Sequence, residues 1–306
     1  RAAHLARTTG GRVLVTTYVR TLPRVLESLL RRMAPDVVDR VEFRSVHSLA
    51  IDLLSARGGA PRVDADQALR VFDEVWREHG ADGPLGRIDP SPGYWRDEVG
   101  AVLKGRGIVA FEQYAALPRT GRRRPLTREQ RAAMWDVYVR YDQALRERGI
   151  LDWADVILEA EASLRELPLT RYAAVVADEV QDLSCAMIRM LHALVGDRPD
   201  GLNLVGDGRQ TIYPGGFTLA EAGVSIQGRA VVLTTNYRTT AEIAGFAARF
   251  ADGEVPELEG GDAARDVAVT PRHGTAPVHT VFPSRAVHDR SLVERVQAIV
   301  AAAEAE

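Results

Sequence analysis

The sequence predicts an α/β fold, a parallel sheet covered by helices, and three observations carry that reading. Residues 173–177 (AAVVA) are a short apolar run that breaks at Asp178-Glu179, the pattern of a strand buried on both faces of a parallel sheet. Residues 202–205 (LNLV) repeat it and break at Gly206-Asp207-Gly208, with Gln210 and Tyr213 just beyond. Residues 231–238 (VVLTTNYR) read as a third such strand, delivering Asn236, Tyr237 and Arg238. In open α/β sheets, ligands bind beyond the carboxyl ends of the strands. All three runs end in polar residues able to face one crevice.

The remaining elements follow in chain order. Residues 1–7 read as the tail of a helix that Gly10 ends. Residues 13–18 (VLVTTY) form a β-branched strand closing on an aromatic, with Arg20 after it. Pro23 then opens a helical pattern through Leu26, Leu29 and Leu30. Residues 64–148 lose the strand signals and read as several helices. Leu69, Phe72, Val75 and Trp76 mark one, stopped at Gly80; Tyr94, Trp95, Val99, Val102 and Leu103 mark another. A third starts at Thr127, which forms a capping box with Gln130, and runs to Gly149. Within this block, Arg119–Pro125 is a basic loop that reads either as a phosphate contact or as a solvated loop. Asp152 is placed to cap a helix running through Leu164. Residues 239–250 and 289–304 return to helical spacing, separated by a Gly-, Pro- and Asp-rich stretch.

Taken in order, the boxes at 178–182 (DEVQD), 206–213 (GDGRQTIY) and 236–238 (NYR) resemble those of the UvrD/Rep-type superfamily-one DNA helicases. VLVTTY and residues 45–49 (SVHSL) are similar to the family's first two DNA-contacting boxes, and residues 151–155 (LDWAD) to a segment re-entering the first motor domain. The resemblance implies a RecA-like P-loop NTPase motor domain in two parts, 1–63 and 150–235. A helical insertion subdomain, 64–149, would separate them, and 236–306 would begin a second motor domain. It implies roles as well. Asp178 would hold Mg²⁺, Glu179 would polarise the attacking water, and Gln210 would sense the γ-phosphate of ATP. Arg238 would act as an arginine finger. Asp178, Gln210 and Arg238 thus make the nucleotide site. Tyr18 and Tyr213 would stack on bases of single-stranded DNA, while Arg20, His47 and Ser48 would approach its phosphates. The structural alternatives are a buried tyrosine with a satisfied hydroxyl, a helix-starting histidine and a surface arginine. The expected activity is ATP-driven movement along single-stranded DNA, including at duplex junctions, in DNA repair or recombination. The direction the resemblance implies is 3′ to 5′.

Departures from the family pattern matter here. The P-loop, G-x-x-x-x-G-K-[ST], needs a lysine followed by a hydroxyl residue, whereas the single lysine, Lys104, precedes Gly105. The expectation is that the sequence starts just downstream of that loop and that residues 1–306 alone hydrolyse ATP very poorly. Gly208-Arg209 and Pro214-Gly215-Gly216 also differ from the commoner family residues. A second function class stays open: a helicase-derived nucleic-acid-binding or scaffolding module without ATPase activity.

At 306 residues with a formal net charge of −3, the chain can bury a sizeable core but has no global field to attract nucleic acid. Binding would rest on local basic groups. One cysteine, Cys185, rules out an internal disulfide and is compatible with a reducing cytoplasm, the expected location. No stretch reaches the ~20 apolar residues of a membrane span.

Overall fold

The computed structural model describes residues 1–119, 121–122, 124–169, 171–207, 210, 216–225, 228–249 and 269–304. The chain divides into two compact units, one built from Arg1–Ala230 and one beginning at Val231.

The first unit is organised around four parallel strands in the order β2-β1-β3-β4. They are β1 (Val13–Thr17), β2 (Val41–Ser45), β3 (Ala174–Ala177) and β4 (Leu202–Leu204). In register, Val13 faces Val41 on one side and Ala174 on the other, and Val175 faces Leu202. The alternation of side chains along a strand then sorts two cores. Leu14, Val175 and Ala177 enter one, with α3 (Val46–Gly58), α9 (Trp153–Glu166) and α10 (Cys185–Ala193). Val13, Val15, Ala174 and Val176 enter the other, with α1 (Ala2–Thr9) and α2 (Leu22–Met33). This is the covered parallel sheet expected from AAVVA. Gly10 terminates α1 with φ 64°, as a left-handed helix cap. The strand β2 escaped notice because its VEFRS mixes charge with apolar residues, though Val41 pairs cleanly with Val13.

Helices α4 (Ala65–His79), α5 (Pro84–Ile88), α6 (Pro92–Asp97), α7 (Phe111–Ala116) and α8 (Arg128–Glu147) enclose a separate apolar core. Phe72, Trp76, Trp95 and Tyr114 fill it. The Thr127–Gln130 capping box forms as read from the sequence: Thr127 Oγ1 accepts from the Gln130 amide at 3.3 Å, and Gln130 Oε1 accepts from the Thr127 amide at 2.8 Å. Beyond α6 the chain continues as a wider π-type helix over Glu98–Lys104, which carries two buried charges at its ends. The chain leaves for this block and returns from it at one place, where Val63 and Leu151 form a parallel bridge.

The basic loop is resolved in favour of neither sequence reading. Arg119 and Arg122 turn inward and both pair with the fully buried Glu98, at 2.6 and 2.8 Å; Arg124 binds Asp89 at 3.2 Å. A carboxylate with no access to water demands paired cations, and this loop supplies them.

In the second unit, the strand expected at 231–238 does not form as a ladder among the described residues. Thr235 makes one isolated bridge to Val269, and Val231 and Leu233 are each 85% exposed. An apolar β-branched run becomes a strand only where a neighbour takes its backbone groups. Helices α11 (Ala241–Ala248) and α12 (Arg285–Glu304) match the two helical patterns expected there. Among the described residues, no helix of the chain is long and apolar enough to cross a membrane.

Candidate nucleotide and strand site

Three strand-to-loop exits build the site. The Asp178 amide donates to the Thr16 carbonyl at 2.9 Å, carrying the β1–β3 ladder one residue past β3, and the Val180 amide donates to the Val205 carbonyl at 3.1 Å. Between them Glu179 takes φ 53° and ψ 47°, the left-handed region that side-chain-bearing residues rarely enter. Asp178 Oδ1 accepts the Glu179 amide at 3.1 Å.

A hydrogen-bonded chain then crosses from the DEVQD box to the GDGRQ box. Gln181 Nε2 donates to Glu179 Oε2 at 2.7 Å, and Gln181 Oε1 accepts from the Asp207 amide at 3.1 Å. Gln210 Nε2 donates to Asp207 Oδ2 at 2.9 Å. Glu179, Gln181, Asp182 and Gln210 line an open cleft of about 600 Å³ together with Val19, Thr21 and Leu22 of the loop after β1. Burial and the nearby Glu179 carboxylate push the Asp182 carboxyl up from its usual range, and Asp182 Oδ1 is buried without a hydrogen-bond partner. Asp178, Glu179 and Asp182 offer hard carboxylate oxygens. No group of three or more His, Cys, Asp or Glu among the described residues could hold a metal by itself. This donor set fits Mg²⁺, which takes one or two carboxylates and completes its shell with phosphate and water.

On the other side of the Gln181–Asp182 wall lies a cavity of about 630 Å³, lined by Tyr18, His47, Lys104, Trp153, Gln181 and Phe217 among others. Tyr18 and His47 meet edge-on with centroids 5.7 Å apart, His47 and Trp153 at 5.3 Å. The exposed Arg20 guanidinium lies 4.7 Å from the Trp153 ring centre. Tyr18, Arg20 and His47, expected to touch a nucleic-acid strand, therefore share one aromatic and cationic cluster. Burial, helped by Arg20, lowers the His47 pKa to about 4, so at neutral pH the imidazole is uncharged and can offer a stacking face or a hydrogen bond but no charge. Ser48 is half-buried one residue along α3, its amide held by Ser45 Oγ at 3.3 Å.

Asp152 caps α9, accepting the Ala154 and Asp155 amides at 2.9 Å each. It also does more than cap. Lys104, 1% exposed, reaches Asp152 Oδ2 at 2.8 Å and Asp155 Oδ1 at 2.6 Å, and Tyr141 donates to Asp152 Oδ2 at 2.9 Å. Burial works to raise both carboxyls. Asp152 nevertheless ends below its usual range because Lys104 and Tyr141 hold its charged form. Asp155 is left raised to about 6 by burial and by its Asp152 neighbour.

Arg238 belongs to the second unit, where it is exposed and its amide donates to Asn236 Oδ1 at 3.0 Å. Tyr213 lies outside the described residues, as do Gly208 and Arg209. Trp153, Gln181 and Asp182 are the site residues that sequence reasoning passed over. Trp153 stood beside the capping Asp152, an aromatic with no apolar period of its own to explain it. Gln181 and Asp182 stood in the acidic box but had no role attached.

Residues 104–225 match the UvrD/REP helicase N-terminal domain model. The chain is 30% identical over 263 residues to the ATP-dependent DNA helicase UvrD2 of Mycobacterium tuberculosis, an alignment covering 78% of this chain and 36% of that protein. It is 33% identical over 205 residues to the ATP-dependent DNA helicase UvrD1 of the same organism, covering 59% and 24%. A human TPR and ankyrin repeat-containing protein 1 is 28% identical over 164 residues, covering 50% and 6%. The chain thus spans about a third of the length of the UvrD2 protein it matches.

Proposed function

We propose, for this UvrD-type helicase chain, that it belongs to a motor that hydrolyses ATP with Mg²⁺ and moves along single-stranded DNA in repair or recombination. The observation that carries the reading is the cleft at the carboxyl ends of β1 and β3, where Glu179 and Gln210 converge, with the Tyr18–His47–Trp153 cluster just beyond its wall.

Each residue then has a task. Asp178 provides carboxylate oxygen for Mg²⁺. Glu179 accepts a proton from the attacking water, a role worth roughly a hundred- to ten-thousand-fold in rate. Gln210, tethered through Asp207, reports the state of the γ-phosphate. Arg238, in the NYR box, is the arginine-finger candidate that the family resemblance implies. ATP, bound with its metal, supplies the phosphoanhydride whose cleavage drives motion. Tyr18 and Trp153 offer base-stacking faces, sequence-tolerant and worth ~1–3 kcal/mol per base. Arg20 adds a salt-dependent phosphate contact.

The test is single-strand-stimulated ATP hydrolysis by the full-length protein and by its Glu179→Gln variant. Stimulated turnover that disappears in Glu179→Gln supports the motor. Absent turnover with intact strand binding favours the second reading, a binding or scaffolding module. That alternative rests on one fact: no lysine in residues 1–306 is followed by a serine or threonine.

A further inference from the structure

We propose that Gln181 is a positioning residue for Glu179, locking the carboxylate to the loop that senses the nucleotide; this rests on the motor reading above. Glu179 sits in the left-handed region, φ 53°, where its own backbone preference does not hold it. The flanking ladder bonds hold its backbone, and a two-ended amide holds its carboxylate. Gln181 Nε2 donates to Glu179 Oε2 at 2.7 Å while Gln181 Oε1 takes the Asp207 amide at 3.1 Å. Asp207 in turn accepts from Gln210. Gln181 is 8% exposed, so both ends of its amide need partners within the protein. The fit leaves no slack. A methyl group on Gly206 would come within 2.5 Å of Gln181 Oε1 and 3.0 Å of the Val180 amide. A glycine precedes Asp207 because the amide of Gln181 passes directly over it.

The consequence concerns direction. An amide, unlike a carboxylate, can donate to Glu179 and accept from Asp207 at once. Glu179 therefore keeps one oxygen engaged and leaves the other for the reacting water. Its orientation depends on where the Gly206–Asp207 turn lies. Movement of Gln210 on loss of a phosphate would reach Glu179 through three hydrogen bonds.

The test compares Gln181→Leu and Gln181→Glu with wild type in strand-stimulated ATP hydrolysis by the full-length protein, with thermal melts as the folding check. Gln181→Leu should lower kcat about 10- to 100-fold, the size of effect that a misplaced catalytic group produces, with KM for ATP changed less than about twofold. Gln181→Glu has the sharper signature. Ionised, it repels Glu179; protonated, it donates to it. Its kcat, measured relative to wild type at each pH, should recover as the pH falls from about 8 to 5.5. A side chain that serves folding alone would recover only in step with the melting temperature, so the rescue is read at temperatures where the melts show every variant folded. If both variants match wild-type kcat, or lose KM and kcat together with no rescue at low pH, the positioning role is wrong. If Glu179→Gln itself retains full turnover, the motor reading fails first, and the two failures are distinct.

Discussion

Glu179 illustrates how a single residue can be held in a conformation that its own backbone disfavours. A left-handed residue with a Cβ costs on the order of 1–3 kcal/mol, and its neighbours make up the difference through the ladder bonds of Asp178 and Val180. Gly206 contributes by what it lacks. Gly206→Ala would drive a methyl group into Gln181 Oε1, so it should destabilise the first unit by roughly 1–3 kcal/mol, read as a lower urea midpoint at unchanged slope. An unchanged midpoint would mean that the turn yields. The acidic pair and Gln210 stood out in the sequence by their place in two ordered boxes that resemble the family's, since a carboxylate ending an apolar run is often only solvated. Gln181 was not, since an amide shows its value only when its two partners are known.

At the scale of elements, two buried charge clusters hold the helical block and its junction with the sheet. Glu98 accepts from Arg119, Arg122 and Tyr114 with no exposure to solvent. Glu98→Ala leaves two guanidinium groups buried and unpaired, and should cost about 3–5 kcal/mol, with early loss of the Trp76 and Trp95 fluorescence signal. The second, Lys104 with Asp152 and Asp155, and the nearby half-buried His47 make stability depend on pH in two opposed ways. Asp155, raised to about 6, keeps its proton longer in the folded state than in the unfolded one; its contribution is present at low pH and fades as pH rises from about 4 to 6. His47, lowered to about 4, is neutral when folded, whereas the unfolded chain takes up a proton below about 6.5; its penalty fades as pH rises through the same window. The two slopes offset each other in the wild type. Asp155→Asn should therefore gain stability between pH 4 and 6.5, and His47→Gln should lose it. Melts at three pH values would read the signs, and parallel curves for both variants would refute the pairing.

For the molecule as a whole, the arrangement of two cavities on either side of the Gln181–Asp182 wall suits a device in which strand and nucleotide affect one another. The relevant expectation is that residues 1–306 by themselves turn over ATP very slowly, because no side chain in this stretch matches the lysine of a P-loop. Steady turnover by this stretch alone would show that another group cradles the phosphates. Arg20→Ala should lower the salt slope of strand binding by about 0.7, whereas Tyr18→Ala should weaken binding by about the stacking contribution at any fixed salt.

What the sequence determined by itself was the parallel sheet, its covering helices and the acidic end of β3, because hydrophobic period and strand-ending polar residues are local signals. What the tertiary structure decided was the pairing of groups distant along the chain. It turned Arg119 and Arg122 inward to Glu98, joined Lys104 to Asp152 and Asp155, and set Trp153 against His47. Among the described residues, it also left Val231–Thr234 without a ladder. The physical reason is common to all four. A buried charge, an aromatic face or an extended backbone takes its role from the partner opposite it, and that partner is set by the fold rather than by neighbours in sequence.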